Sequence, residues 1–248
     1  MALACSKTFN RNYKQMLKTL TIENYRCFEN FSINNLSKIN LIVGQNNIGK
    51  TSLLEFINDL DNYNTLLLST NDNYLENVEK IWDLIQLTPR EDKVIEALQI
   101  INPDVEKIGL TISQYTKQIR LKIKGEDNPI PLSSMGEGMK KIFGLIIKAV
   151  ILENGVLLID EIERGLHYTA QTNMWRLLTK TAQELNVQIF ATTHSWDCIS
   201  AFIKALDNIE DKSFGKLFRL NNQSGKLRAV EYKSDEISIA VNQAIEVR

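Results

Sequence analysis

Ile39-Asn-Leu-Ile-Val43-Gly44-Gln-Asn46-Asn47-Ile-Gly49-Lys50-Thr51-Ser52-Leu53-Leu54 decides the fold. Ile39 to Val43 is a short apolar run ending at a glycine, which reads as a buried strand. From Thr51 to Leu60 the apolar residues Leu53, Leu54, Ile57 and Leu60 recur at helical spacing. Between them, Gly44 to Thr51 matches G-x-x-x-x-G-K-[ST] in full. The glycines let the loop curl so that backbone N–H groups face a phosphate at the positive end of the following helix. Lys50 is expected to bridge the β- and γ-phosphates, and the Thr51 hydroxyl to hold Mg²⁺. Gly44, Asn46, Asn47, Gly49 and Ser52 complete the expected nucleotide-binding stretch. A chance glycine-rich turn is the bland alternative, and the strand–loop–helix context weighs against it.

A second apolar run, Val156-Leu-Leu-Ile159, ends in Asp160-Glu161. Parallel strands present functional loops at their carboxyl ends, so these acids are expected to face the phosphate loop. Asp160 would join Thr51 in ordering the Mg²⁺ shell, and Glu161 would serve as general base for the attacking water. A third run, Val187 to Thr192, leads into His194, whose imidazole would hydrogen-bond the γ-phosphate and distinguish ATP from ADP. His167 reads equally as a helix-cap or interface residue and as a nucleotide sensor. Ser134-Met135-Gly136-Glu137 opens a helix; in isolation it is only a turn-and-cap signal.

Around these motifs the chain alternates strands and helices, which implies an α/β fold: a mainly parallel sheet flanked by helices. Residues 18–33 alternate apolar and polar and form a small antiparallel β region near the N-terminus, after an extension over 1–17. Residues 18–248 are expected to form a single domain. Within it, residues 61–130 read as an insertion with helices near 75–87 and 91–100 and strands near 109–113 and 119–124. Helices are expected over 137–153, 168–185 and 196–206, a hairpin over 216–232 turning at Asn222-Gln-Ser-Gly225, and a last helix capped by Ser234.

Composition narrows the function classes. Hydrophobic residues make up 44% and charged residues 24%, which excludes disordered and fibrous chains. Twenty-nine basic residues against 30 acidic ones leave a net charge of −1, so no global pull toward nucleic acid or anionic lipid exists. Three cysteines without C-x-x-C spacing argue against a disulfide scaffold or a cysteine zinc site. Two histidines cannot build a histidine-rich metal centre. No secretory signal or membrane span stands out, so the expected setting is the cytoplasm, with no membrane contact.

The order of motifs (phosphate loop, S-x-G-E, apolar-Asp-Glu, Thr-His) resembles the ABC-type ATPase heads of the P-loop NTPases. Three segments resemble the AAA-type/RecF-like branch: Leu20-Thr-Ile-Glu-Asn-Tyr-Arg26-Cys-Phe28, the phosphate loop through Glu55, and Asp160-Glu-Ile-Glu-Arg-Gly-Leu-His167. That branch includes overcoming-lysogenisation-defect ATPases, recombination-repair ATPases and chromosome-maintenance heads. The resemblance implies two heads sandwiching two ATP molecules, with Ser134, Gly136 and Glu137 of one head meeting the γ-phosphate held by the other. Met135 replaces one glycine of that signature. None of Gln86, Gln99 or Gln114 is assigned as the glutamine with which such heads sense Mg²⁺ and water. Arg26 would lie near the phosphates in related heads, or else be a surface strand residue.

The expected activity is therefore hydrolysis of ATP to ADP and phosphate by an ATP-dependent homodimer. The resemblance implies a separately encoded nuclease or toxin as effector, in anti-phage defence or DNA maintenance. The alternative is a nucleotide-gated DNA-binding module with little turnover, using the basic residues Lys117, Arg120, Lys122, Lys124, Lys140 and Lys141; the same residues also read as a solvated face. A transporter energy subunit is disfavoured by the signature and by the segment after Glu161.

Overall fold

The computed structural model describes residues 16–70, 72–112, 117–207, 209–211, 213–223 and 225–232. The phosphate loop leaves β3 (Ile39–Val43) and enters α1 (Lys50–Asn58). All five residues of β3 are buried, as a strand covered on both faces requires. To one side β3 pairs in parallel with β9 (Gln188–Thr193), which pairs with β8 (Val156–Ile159). On its other side β3 pairs in parallel with β10 (Gly215–Gln223), and β11 (Lys226–Tyr232) closes that edge antiparallel. The opposite edge is β4 (Thr65–Leu68), parallel to β8. The mainly parallel sheet expected from the sequence is present in the order β11-β10-β3-β9-β8-β4.

Two cores cover its faces. Leu41, Val43, Leu157, Ile159, Ile189 and Ala191 meet the helices α4 (Gly136–Ile151), α5 (Tyr168–Glu184) and α6 (Trp196–Leu206). Ile42, Leu158 and Phe190 point the other way, onto Leu53, Leu54 and Ile57 of α1. The same core takes in Leu20, Ile22, Phe28, Phe31 and Ile33 from the antiparallel hairpin β1 (Leu20–Tyr25) and β2 (Phe28–Ile33). Each fully buried leucine or isoleucine of α1 contributes roughly 1.5–3 kcal/mol. Helix and sheet are thereby held rigidly beneath the phosphate loop.

Gln188 is the polar exception in this buried sheet. Its side chain accepts from Leu17 N at 2.7 Å and donates to the carbonyls of Leu17 and Ser37 at 2.8 Å each, which fixes the entry of the chain into β1.

The segment after α1 differs in detail from the sequence expectation. Thr65–Leu68 is a central-sheet strand that the sequence reading does not contain, because four residues with three consecutive leucines show no alternation. Of the two expected helices, α2 (Val78–Ile85) is shorter than 75–87, whereas α3 (Pro89–Gln99) begins two residues earlier and ends one residue earlier than 91–100. The first expected strand of this segment begins earlier, and β5 (Val105–Ile112), β6 (Lys117–Ile123) and β7 (Ile130–Pro131) form a separate antiparallel sheet. The last helix expected after Ser234 lies outside the described residues. Among the described residues no helix is long and apolar enough to cross a membrane.

Candidate active site

The loop between β3 and α1 needs both of its glycines. Gly44 has φ +151 and Gly49 φ +106, and a Cβ would lie 2.9 Å from the Leu220 carbonyl oxygen or 2.6 Å from Cys27 Sγ, respectively. Asn47 is also in the left-handed region, at φ 62, a conformation asparagine tolerates better than most residues. Lys50, largely buried, folds back over the loop. Its Nζ donates to the carbonyls of Gly44 at 2.8 Å and Gln45 at 2.9 Å. Burial lowers its pKa, and Asp160, Glu161 and Glu163 oppose that shift.

Thr51 and Asp160 meet although they come from different elements. Thr51 Oγ1 donates to Asp160 Oδ2 at 2.8 Å, and Thr192 Oγ1 of β9 donates to Asp160 Oδ1 at 2.5 Å. Both oxygens of the buried carboxylate are thus held by hydroxyls. Thr192 Oγ1 also accepts from the backbone N–H of Glu161 at 2.9 Å, so one threonine orients both acids. Glu161 takes φ +47, a left-handed conformation costing on the order of 1–3 kcal/mol and often found at active sites.

His194 lies beside the acids. Its Nδ1 is 3.4 Å from Glu163 Oε1 and 4.0 Å from Glu161 Oε1, and its backbone N–H donates to Glu163 Oε1 at 3.3 Å. Ser195 caps α6 by accepting from Cys198 N, which sets where the helix begins after His194. Arg164 Nη1 stands 3.9 Å from Glu161 Oε2.

The structure therefore brings Lys50, Thr51, Asp160, Glu161 and His194 to the carboxyl ends of three adjacent strands. Ser134, Gly136 and Glu137 are not bonded to that cluster among the described residues. Ser134 Oγ donates to the Pro131 carbonyl at 2.7 Å, and Glu137 pairs with Lys140 at 2.6 Å. Arg26 sits at the exposed β1–β2 turn and pairs with Glu55, with Ser52 Oγ 3.4 Å from its guanidinium. His167 occupies the N-cap position of α5, and its Nδ1 is 2.9 Å from Thr169 Oγ1.

The sequence alone assigns no role to Thr192, Glu163 or Arg164, and places Lys141 only in the basic cluster. The repeated carboxylates of Asp160-Glu-Ile-Glu163 were a visible signal; the threonine and lysine contacts depend on neighbouring elements. The basic cluster requires correction. Lys141 is buried, with its Nζ on the carbonyls of Ile162 and Arg164, and Lys140 is engaged by Glu137, so neither belongs to a free basic face. Of the glutamines left unassigned by the sequence, Gln86 bonds Asp83 and Gln99 the Val105 carbonyl, while Gln114 lies outside the described residues.

The AAA ATPase domain family matches residues 16–81 and 58–199. The chain belongs to that family. An "ATP/GTP phosphatase" of Helicobacter pylori is 32% identical over 158 residues, which is 59% of this chain and 39% of that protein. The "Methionine import ATP-binding protein MetN" of Clostridium tetani is 23% identical over 194 residues, 71% of this chain and 60% of that protein. The chain thus spans less than two thirds of either relative. In fold it is similar to an SMC head domain from Thermotoga maritima, with TM-score 0.56 at 15% identity, covering 87% of this chain and 98% of the other. The mainly parallel sheet with its small antiparallel hairpin is accordingly that of an AAA/ABC-type ATPase head.

Proposed function

We propose that this ATPase domain hydrolyses Mg²⁺-ATP at the Lys50–Thr51–Asp160–Glu161 cluster, with two copies closing on the nucleotide. The observation that carries the reading is the 2.8 Å hydrogen bond from Thr51 to Asp160, which places a hydroxyl and a carboxylate together beside the phosphate loop. Hard oxygen donors of this kind fit Mg²⁺ rather than a soft metal. When bound there, the ion would neutralise charge on the β- and γ-phosphates.

The side chains divide the remaining work. Lys50 would exchange its bonds to the Gly44 and Gln45 carbonyls for phosphate oxygens. The loop N–H groups, including those of Asn46, Asn47 and Gly49, would line the phosphate, with Ser52 in the first turn of α1 behind them. Glu161 would take the proton of the attacking water as the γ-phosphoryl group passes to the water oxygen and its bond to the β-phosphate oxygen breaks, leaving ADP. His194, held by Glu163, would hydrogen-bond the γ-phosphate. Ser134, Gly136 and Glu137, all exposed at or just before the start of α4, would meet the γ-phosphate on the second copy. This is the arrangement implied by the resemblance to ABC-type heads.

Light scattering of Glu161→Gln and wild type, with and without ATP, tests the closing step. ATP should convert the variant to a lasting dimer and the wild type to a transient one. A variant that stays monomeric while the wild type dimerises contradicts the reading. We further propose that hydrolysis drives a separately encoded nuclease or toxin effector, in anti-phage defence or DNA maintenance. A protein that always elutes alone from native lysate would argue against it.

A second reading, nucleotide-gated DNA binding, has one observation in its favour. Lys107 and Lys122 stand directly opposite across β5 and β6, with Arg120 next along the same face. Like charges so placed repel unless an anion lies over them. Charge reversal at these three positions that leaves salt-dependent DNA retention unchanged would eliminate it.

A further inference from the structure

α4 buries three residues on one side that are not large apolar groups: Lys141, Gly144 and Lys148. Spacings of three and four residues put them on a single face. Burying an ammonium is costly unless it is compensated, so two lysines on a buried helix face call for a partner. That partner is Tyr74, in the chain that follows β4. Lys141 Nζ lies 4.7 Å and Lys148 Nζ 5.8 Å from the centre of its ring. Gly144 lets the backbone come close between them, since a Cβ there would sit 2.4 Å from the Tyr74 carbonyl oxygen. α4 therefore grips the segment that leaves the edge strand.

Lys141 reaches further than its neighbour. Its Nζ donates to the carbonyls of Ile162 at 2.8 Å and Arg164 at 2.5 Å, spanning the loop that carries Glu161 and Glu163. Glu163 in turn holds His194 through Oε1, while its buried Oε2 has no hydrogen-bond partner among the described residues. The Glu163 carboxylate lies near enough to the Lys141 ammonium to favour its charged form. A cleft of about 320 Å³, lined in part by Thr70, Tyr74, Glu137, Lys141 and Arg164, opens between the same segments. One ammonium thus joins the Tyr74 segment, the loop of the catalytic acids and the helix that begins at Gly136.

We propose that Lys141 is a positioning residue that ties the Ser134–Glu137 end of α4 to the loop holding Glu161 and, through Glu163, to His194. The inference rests on the proposed ATPase reading. Engagement of the signature by a second copy would then bear on the acids that act on water, without Lys141 touching nucleotide.

Lys141→Met removes the donors and keeps the length of the side chain. It should bind a fluorescent ATP analogue within about threefold of wild type, while kcat falls by about tenfold or more with little change in KM. Glu163→Gln should show the same split, and the double variant should be no slower than the slower single one. A second readout does not need turnover. The chain has two histidines, so imidazole NMR can follow each one. Lys141→Met should shift the His194 ring resonances and leave those of His167 in place, whether or not the protein hydrolyses ATP. If Lys141→Met does not fold, Glu163→Gln carries the kinetic test, and Lys141→Arg must move the His194 resonances less than Glu163→Gln does. Unmoved His194 resonances, or a kcat within about twofold of an active wild type, would overturn the proposal. Absence of ATPase activity in the wild type, with His194 still responding, would count against the hydrolysis reading and leave the Lys141 link standing.

Discussion

Thr51 and Asp160, 109 residues apart in the chain, share a 2.8 Å hydrogen bond at the foot of the phosphate loop. Their elements are not adjacent in the sheet: β9 lies between β3 and β8. The contact exists because the loop and α1 extend from β3 toward the end of β8, where Asp160 begins the acidic turn. Thr192, from the intervening strand, completes the link by bonding the other carboxylate oxygen.

Thr51→Ala and Asp160→Asn should therefore raise the Mg²⁺ concentration needed for half-maximal ATP hydrolysis, with a smaller effect on nucleotide binding in EDTA. Loss of the hydroxyl also removes one intramolecular hydrogen bond, a stability change of about 1 kcal/mol. Mg²⁺ titration of both variants checks this. An unchanged Mg²⁺ requirement would place the ion elsewhere.

Gly144→Val should destabilise the fold. Added atoms at this position collide with the Tyr74 backbone rather than with a flexible side-chain tip, so the clash can relax only by moving α4. A cost of about 1–3 kcal/mol is expected. Urea unfolding followed by tryptophan fluorescence would show it as a lower midpoint at similar slope.

Lys141 also predicts a pH effect on stability. Burial lowers its ammonium from the ordinary 10.5 to about 8; Glu163 and Glu161 oppose this, and Arg164 adds to it. Tyr74, raised by burial, and Cys198, pushed up to about 12, complete the titratable groups around it. Below pH 8 both folded and unfolded chains carry the lysine proton, and the burial cost is present in full. From about pH 8 upward the unfolded chain binds more protons, so this group makes stability rise with pH. Cys198 acts in the opposite sense once unfolded thiols ionise near pH 9. Between about pH 7.5 and 8.5, wild type should gain stability relative to Lys141→Met. Parallel unfolding curves across that window would contradict the lowered ammonium.

The sequence revealed the parts of the site whose chemistry restricts residue type within one short stretch. Gly44 to Thr51 is legible because turn geometry, phosphate charge and metal coordination each demand a particular side chain at a particular spacing. Asp160 and Glu161 are legible because an apolar strand ends in charge. Thr192 is different: its role appears only when β9 is known to lie beside β8, and a threonine at a strand end has many ordinary uses. In the sequence Lys141 reads only as one of a cluster of basic residues, because local charge gives no sign that a helix face is buried. Thr65–Leu68 escaped for a related reason, since its strand conformation depends on pairing with β8, 91 residues later by register from Thr65 to Val156.

Single-turnover phosphate release from wild type and Glu161→Gln, each mixed with limiting Mg²⁺-ATP, tests the central claim most directly. If Glu161 is the general base, both proteins bind ATP comparably, and the variant releases phosphate about 100-fold more slowly or worse. Equal release rates at equal ATP binding would contradict the account.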